Sequence, residues 1–404
     1  MTVETPYARD RVTWLAFGVL AVYAYVLYAL GPMLTLLSRD LNLPYAMIGV
    51  HSTIFAAGVL VPGLFFSRLV TAFGRRRLLW TAATAVAIGS VMLAAGRGPG
   101  LTLPAVAVLG VGGVFLQIMA LALLADRHGQ RRDRAIVEAN AGASAAAVVA
   151  PLLVGTLDAV AAGWQFSLAL PVAALLVLYL RYGRDTITAV ASTNTTPAPA
   201  GTRLALPKAF WVLCAVCGLL VGAEFCVVFY GASLLRQDIG VDAGTAAAIM
   251  TVFAVGELVG RLVGSRLTSR AGRTQPLLLA ALALSAAAFV GVWLSPSLVP
   301  AVVTLFVLGL GMANLFPLAL SLAVAAAPDR SDDATARTQL VVGVGIMLAP
   351  LLLGALADGL GVGPAFGVDL VLLVVAALLL LMRGGRRHSR MAAAEAGERR
   401  VVHS

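Results

Sequence analysis

Twelve stretches of about twenty predominantly apolar residues follow one another along this chain, each closed by charge or by Gly and Pro. A helix needs about that many residues to cross the ~30 Å hydrocarbon core of a bilayer. The pattern excludes an ordinary soluble domain. It agrees with composition, since 60% of the 404 residues are hydrophobic and only 12% are Asp, Glu, Lys or Arg, half the roughly 25% of a typical globular protein. Disorder, coiled coil and nucleic-acid binding fit poorly, even though the net charge is +10. The 29 basic residues, among which Lys208 is the one lysine, sit with few exceptions at the ends of the apolar runs.

Spans are expected near 12–37, 46–71, 78–97, 101–124, 136–158 and 163–182, then near 207–235, 243–268, 274–294, 298–325, 335–358 and 363–382. The first is too long, and too closely followed by the second, to read as a cleaved leader. With the N-terminus inside, the outer connections hold Arg39, Arg97 and Arg236. The inner ones hold Arg75 to Arg77, Arg131, Arg132, Arg134, Arg181, Arg184, Arg270, Arg273, Arg330 and Arg337, with more in the tail. Arginine collects in cytoplasmic loops, so both termini are expected in the cytoplasm and the protein in the cytoplasmic (inner) membrane. All five tryptophans fall near span ends, where interfacial rings prefer to lie. Residues 183–206, with Ser, Thr, Asn and Pro and no apolar period, read as a linker. The expected organisation is a half over 1–182, a linker over 183–206, a half over 207–382 and a basic tail over 383–404.

A shift of 198 lays Thr53–Arg75 over Thr251–Arg273 with 12 of 23 positions identical, and a shift of 199 pairs Val108–Gly112 with Val307–Gly311 and Ala150–Leu153 with Ala349–Leu352. Three ordered matches at nearly constant offset imply two parallel-related halves of six helices, the kind of repeat that rocks about a central site in secondary transporters. The fold class expected is therefore an all-α membrane protein of twelve transmembrane helices in two pseudo-symmetric bundles.

The connection after the second span contains Ser67, Arg68, Gly74 and Arg75, and its repeat contains Ser265, Arg266, Gly272 and Arg273. Both resemble the cytoplasmic Gly-x-x-x-Asp-Arg-x-Gly-Arg signature of the major facilitator superfamily. Ser replaces the first Gly, and Thr71 and Ser269 replace the Asp, so the Asp-centred relay that the resemblance implies is absent. The two glycines are expected to make tight turns, and the arginines to bond helix ends or to serve topology. The resemblance covers essentially the whole chain and implies a transporter using alternating access.

Polar residues that break the repeat in mid-span are the candidates for chemistry. Glu257 lies about 21 Å along its span, opposite Val59 in the repeat, and Arg261 follows one turn later. Glu224 lies mid-span opposite Val26. An ionisable group at that depth costs roughly 2.5–3.5 kcal/mol, so each must face a cavity or a partner. One reading makes Glu224 a proton carrier, with Glu257 and Arg261 orienting substrate or gating. The other makes Glu257–Arg261 a structural pair and Glu224 a helix–helix hydrogen bond. Tyr25, Tyr28, Gln117 and Asn314 could line a pocket, and His51 reads as an interface residue. Cys214, Cys217 and Cys226 share one apolar span and form neither a disulfide framework nor a zinc site. The glycines of 110–113 and 309–311 mean close helix packing.

Ala150-Pro151-Leu152-Leu153-Val154-Gly155 looks like a weakened form of the fifth-helix element of proton-coupled exporters, and its copy at Ala349–Gly354 points equally to a structural role. Residues 101–124 hold no charge, where those exporters carry an Arg. Proton-coupled efflux of a drug or metabolite is the leading expectation. Proton-symport uptake of a sugar or organic acid is the alternative, and a receptor or membrane enzyme is remote. No catalytic or metal-ligating set is visible, no cofactor beyond a proton gradient is expected, and the partners are a small-molecule substrate and the bilayer, with the protein a monomer that binds no nucleic acid.

Overall fold

A computed structural model describes residues 9–58, 60–185, 206–267, 274–327 and 330–382. The tail from 383, nearly all of the linker, and Gly272 and Arg273 lie outside the described residues. The N-terminal half runs α1 (Arg11–Leu41), α2 (Tyr45–Ala57), α3 (Leu60–Phe73), α4 (Arg75–Ala95), α5 (Pro99–His128), α6 (Arg132–Ala159) and α7 (Ala169–Tyr182). The C-terminal half runs α8 (Lys208–Leu234), α9 (Ala243–Leu267), α10 (Thr274–Trp293), α11 (Leu298–Met312), α12 (Leu315–Ala325), α13 (Ser331–Leu360), α14 (Val362–Ala365) and a last helix, α15, over 367–382. Among the described residues eleven helical spans are long and apolar enough to cross a membrane. α2 with α3 supplies a twelfth crossing, and no strand occurs among these residues.

Several helices, among them α1, α5, α6 and α13, run about a turn past the expected spans, because charged and capping residues continue the backbone hydrogen bonding beyond the apolar stretch. Asp10 caps α1 by accepting from the Thr13 N–H at 2.9 Å, and Asn42 ends α1 in the left-handed region at φ 51°. Asp242 accepts from the Thr245 N–H at 2.9 Å and opens α9. The second crossing is interrupted near Gly58, and the tenth around Asn314 between α11 and α12. Neither break was expected from the sequence.

Within each half the repeat is visible as matched backbone contacts. Gly110 of α5 lies against the Phe55 carbonyl of α2, and its repeat partner Gly309 of α11 lies against the Phe253 carbonyl of α9. A side chain at either position would collide with backbone, so glycine sets the helix separation, as the sequence suggested. Gly74 adopts φ +77° ahead of α4 and makes the expected turn. Arg75 pairs with Asp126 at the end of α5, Arg76 donates to the Gly183 carbonyl, and Arg68 is exposed. Ser265 and Arg266 continue the backbone of α9, but their side chains, like that of Ser67, lie outside the described residues.

The N-terminal half is further tied at its arginine-rich end. Arg11 bonds Asp185 at 2.8 and 3.0 Å, Arg127 pairs with Asp10, and the Thr13 hydroxyl sits 2.8 Å from the His128 ring. Partial burial works against ionisation of Asp10, but the Thr13 hydroxyl and N–H and the Arg127 guanidinium outweigh it and hold the carboxyl below its ordinary range. At the other end Arg39 binds Asp158 through two hydrogen bonds of 2.7 and 2.8 Å. Trp164, at the start of its span, is buried and donates to Asp40 at 2.8 Å. His51 is likewise buried, held between the Met47 carbonyl at 2.6 Å and Thr102 at 2.8 Å, so it links α2 to α5. The three cysteines are free and buried.

Hydrogen bonds between the halves concentrate from mid-span to the end that carries Asp358. There Asp358 of α13 accepts from the N–H groups of Tyr45 and Ala46, at 2.5 and 3.0 Å, at the N-terminus of α2. Tyr230 donates to the Tyr45 carbonyl at 2.9 Å, and Thr53 to the Met347 carbonyl at 2.7 Å. The backbones also interlock. Gly31 abuts Val228, Gly155 abuts Gly244 and Ala248, and Gly354 abuts Tyr45 and Tyr230. The two Ala-Pro-Leu-Leu-x-Gly copies therefore do one job, each seating its glycine against the opposite half. Toward the arginine-rich end, Asn140 and Gly142 of α6 and Leu262 and Leu340 of α9 and α13 are exposed.

Candidate functional site

Four of the residues singled out in the sequence meet midway along the interface between the halves. Tyr28 of α1 donates its hydroxyl to Glu257 Oε2 of α9 at 2.6 Å. Arg261, one turn along α9, reaches the Tyr28 hydroxyl at 3.4 Å and Glu257 Oε1 at 3.6 Å, and donates to Ser144 Oγ of α6 at 3.1 Å. The Glu224 side chain of α8 faces the Glu257 carboxyl within hydrogen-bonding reach. Ser144 was not expected from sequence, because a lone Ser in an Ala-rich helix carries no signal.

The placement of Glu257 follows from its helix. Gly256 packs on the Phe306 carbonyl of α11, and Gly309 of α11 lies against the Glu257 N–H. This fixes one face of α9 to its own half and turns Glu257 and Arg261 toward the other. Glu257 is 1% exposed, whereas 41% of the Arg261 side chain is open. Glu257 Oε1 has no hydrogen-bond partner among the described residues. On the Asp358 side the cluster is roofed by Pro32, Pro151, Val228, Met250 and Phe253, which with Tyr28 enclose only about 10 Å³, about the space of one water. Access to the cluster is therefore from the arginine-rich end.

Two carboxyls can hydrogen-bond each other only when one of them carries a proton. The two facing carboxyls and the Arg261 guanidinium therefore form one electrostatic unit, in which the charge of either acid bears on the other. Every hydrogen bond to Tyr28 or Ser144 joins the two halves, so a change of charge at the carboxyls bears directly on the interface.

The other three candidates lie elsewhere. Tyr25 is buried and donates to the Ser167 carbonyl at 2.9 Å inside the N-terminal half. Asn314 donates to the Gly260 carbonyl at 2.6 Å inside the C-terminal half. Gln117 is half-buried on α5 and is not a partner of the central cluster. Sequence reading also passed over Asp369, the one charged residue of the last span. It is fully buried, and both carboxyl oxygens lack hydrogen-bond partners among the described residues. An acid seven residues into an apolar span is a signal that could have found it.

Comparison with known proteins agrees with this architecture. The family model of the Major Facilitator Superfamily matches residues 16–235 and 214–403. The MFS-type transporter YtbD of Bacillus subtilis (strain 168) is 23% identical over 338 residues, covering 82% of this chain and 84% of YtbD. Among solved structures, a bacterial homologue of the human lysosomal transporter Spinster, inward-facing and unoccupied, superposes with a TM-score of 0.73 at 15% identity, over 93% of this chain and 97% of that one. The D323A mutant of the nucleoside transporter NupG superposes with a TM-score of 0.74 at 17% identity, over 92% and 98%. With the family model matching both halves, the two-bundle fold is that of a membrane transporter, and the chain belongs to the Major Facilitator Superfamily.

Proposed function

We propose that this transporter couples the proton of the Glu224–Glu257 pair to movement of a small organic solute carrying positive charge, exporting it across the cytoplasmic membrane. The observation that carries this reading is the facing pair of carboxyls at the junction of the halves, with Glu257 Oε1 lacking a hydrogen-bond partner among the described residues and paired only at 3.6 Å with Arg261. Proton and cation compete for one acceptor. Whichever leaves, the other restores neutrality beside Arg261, so an exchange cycle needs no other ion. Tyr28, Ser144 and Arg261 orient the solute and report the state of the carboxyls to both halves. The arginine distribution supports cytoplasmic termini, and the open arginine-rich end then corresponds to access from inside. A proton gradient suffices without a cofactor, no step is enzymatic, and a monomer contains the whole site.

Proton-symport uptake of an anionic metabolite is a second reading, favoured by the open guanidinium of Arg261. Proteoliposomes carrying an imposed pH gradient separate the two. Organic cations that accumulate against the proton gradient, and cease to do so in Glu224→Gln, support export by exchange. Accumulation of acids or sugars along with protons makes the protein an importer. Gradient-driven accumulation that persists in Glu224→Gln removes the carrier role from Glu224.

A further inference from the structure

A cavity of about 190 Å³ lies between α9, α10 and α12 in the C-terminal half, lined by Gly264, Leu277, Ala281, Leu284, Asn314 and Leu318 among others. It is separate from the central cluster and lies on the reverse face of α9. Its origin is a break in the internal repeat. Gly264 corresponds to Phe66 at the 198-residue shift, and Asn314 corresponds to Phe115 at the 199-residue shift. In the N-terminal half those two phenyl rings stack on each other with centroids 6.2 Å apart and fill the space between α3 and α5. In the C-terminal half the rings are replaced by a hydrogen atom and by a short amide. That amide is tied back to the Gly260 carbonyl at 2.6 Å and abuts Gly264. The same helices are otherwise matched, as the paired contacts Gly110–Phe55 and Gly309–Phe253 demonstrate.

We propose that this cavity is a binding site for the acyl chain of a bilayer lipid. The void is apolar and larger than the ~150 Å³ engineered cavity that suffices to bind benzene. Its rim residues Val263 and Leu284 are 44% and 37% exposed on membrane-spanning helices, so hydrocarbon is the medium at its mouth. An apolar void left empty is costly, and an acyl chain fills it without any polar group having to be satisfied. Gly260 and Gly264 form the wall on the α9 side, and Glu257 and Arg261 belong to the same helix. The occupant therefore presses on the element that carries the central acids.

The test uses the full-length protein reconstituted with phosphatidylcholine bearing a photoactivatable diazirine within the acyl chain, followed by mass mapping of the adducts. Adducts are expected on Leu277, Ala281 and Asn314 inside the cavity as well as on Val299 and Val303, which are exposed on α11. Ala281→Phe, which fills the void, is expected to lower labelling at Leu277 and Asn314 by more than about tenfold while leaving Val299 and Val303 unchanged. Adducts confined to Val299 and Val303 in the wild type would overturn the proposal without reference to any variant. Labelling of the cavity residues by a small benzyl diazirine but not by the lipid would assign the void to an aromatic solute and overturn it equally. Retention of transport activity bears on neither result, so failure here is distinguishable from failure of the export reading.

Discussion

At the scale of single residues, the chemistry rests on which hydrogen bonds need a proton. Tyr28 donates to Glu257, and Glu224 faces the same carboxyl, so one acid serves both halves of the molecule. Glu257→Gln keeps size and hydrogen bonding but removes the carboxyl. We expect it to bind and exchange solute across the membrane without responding to a pH gradient, measured as solute exchange against net uptake in the same vesicles. Net uptake driven by pH in Glu257→Gln would contradict the assignment. Tyr28→Phe removes the bridge and leaves the acids, and is expected to weaken binding with the pH response retained. Away from the membrane, Asp10 makes a prediction of different kind. Its carboxyl titrates below the ordinary value because of Thr13 and Arg127, so its stabilising contribution is complete above the unfolded value near 3.9 and is lost as pH falls through the lower folded value. Removing this cap in Asp10→Ala should cost about 1 kcal/mol at neutral pH. The thermal unfolding of variant and wild type should converge in acid; a constant gap down to the lowest pH would show the cap to be uncharged.

Helices and their crossings are where the sequence was most and least readable. The number of spans, their order and the roles of Gly110 and Gly309 were legible because bilayer thickness and close backbone approach each demand a specific residue pattern. The breaks near Gly58 and at Asn314 were not, since neither interrupts the apolar run by which a span is recognised. Glu257, Arg261, Tyr28 and Glu224 stood out as polar residues breaking the repeat in mid-membrane, and the same logic was not extended to Asp369 in the last span. Tyr25 and Asn314 were polar for local reasons, each satisfying a backbone carbonyl within its own half. The contact of Asp358 with the N-terminus of α2 was invisible, because it joins residues 313 positions apart. A carboxylate at a helix N-terminus is worth about 0.3–1 kcal/mol. Asp358→Ala should therefore loosen the closed end and raise the alkylation rate of a cysteine placed at Val228 by roughly two- to fivefold. An unchanged rate would mean that the glycine contacts alone hold that end shut.

For the whole molecule, the repeat explains both the likeness of the halves and the places where they differ. Matched glycines build the scaffold twice. The unmatched acids supply a charge to one half only, and Tyr28 and Ser144 of the other half read it. Closure at the Asp358 end and exposure at the arginine-rich end describe one of the two states that a rocking pair must visit. A protonation step in the interfacial cluster can move that equilibrium only if it stabilises one state over the other. Spin labels at Val160 and Leu360, and separately at Val137 and Leu340, report the two ends, all four side chains being at least half exposed. Distances measured between acid and alkaline pH should change reciprocally, one pair lengthening as the other shortens, and the response should vanish in Glu224→Gln and Glu257→Gln. Distances that stay fixed across that range in the wild type, or a response that survives in both variants, would contradict coupling of the Glu224–Glu257 proton to alternating access.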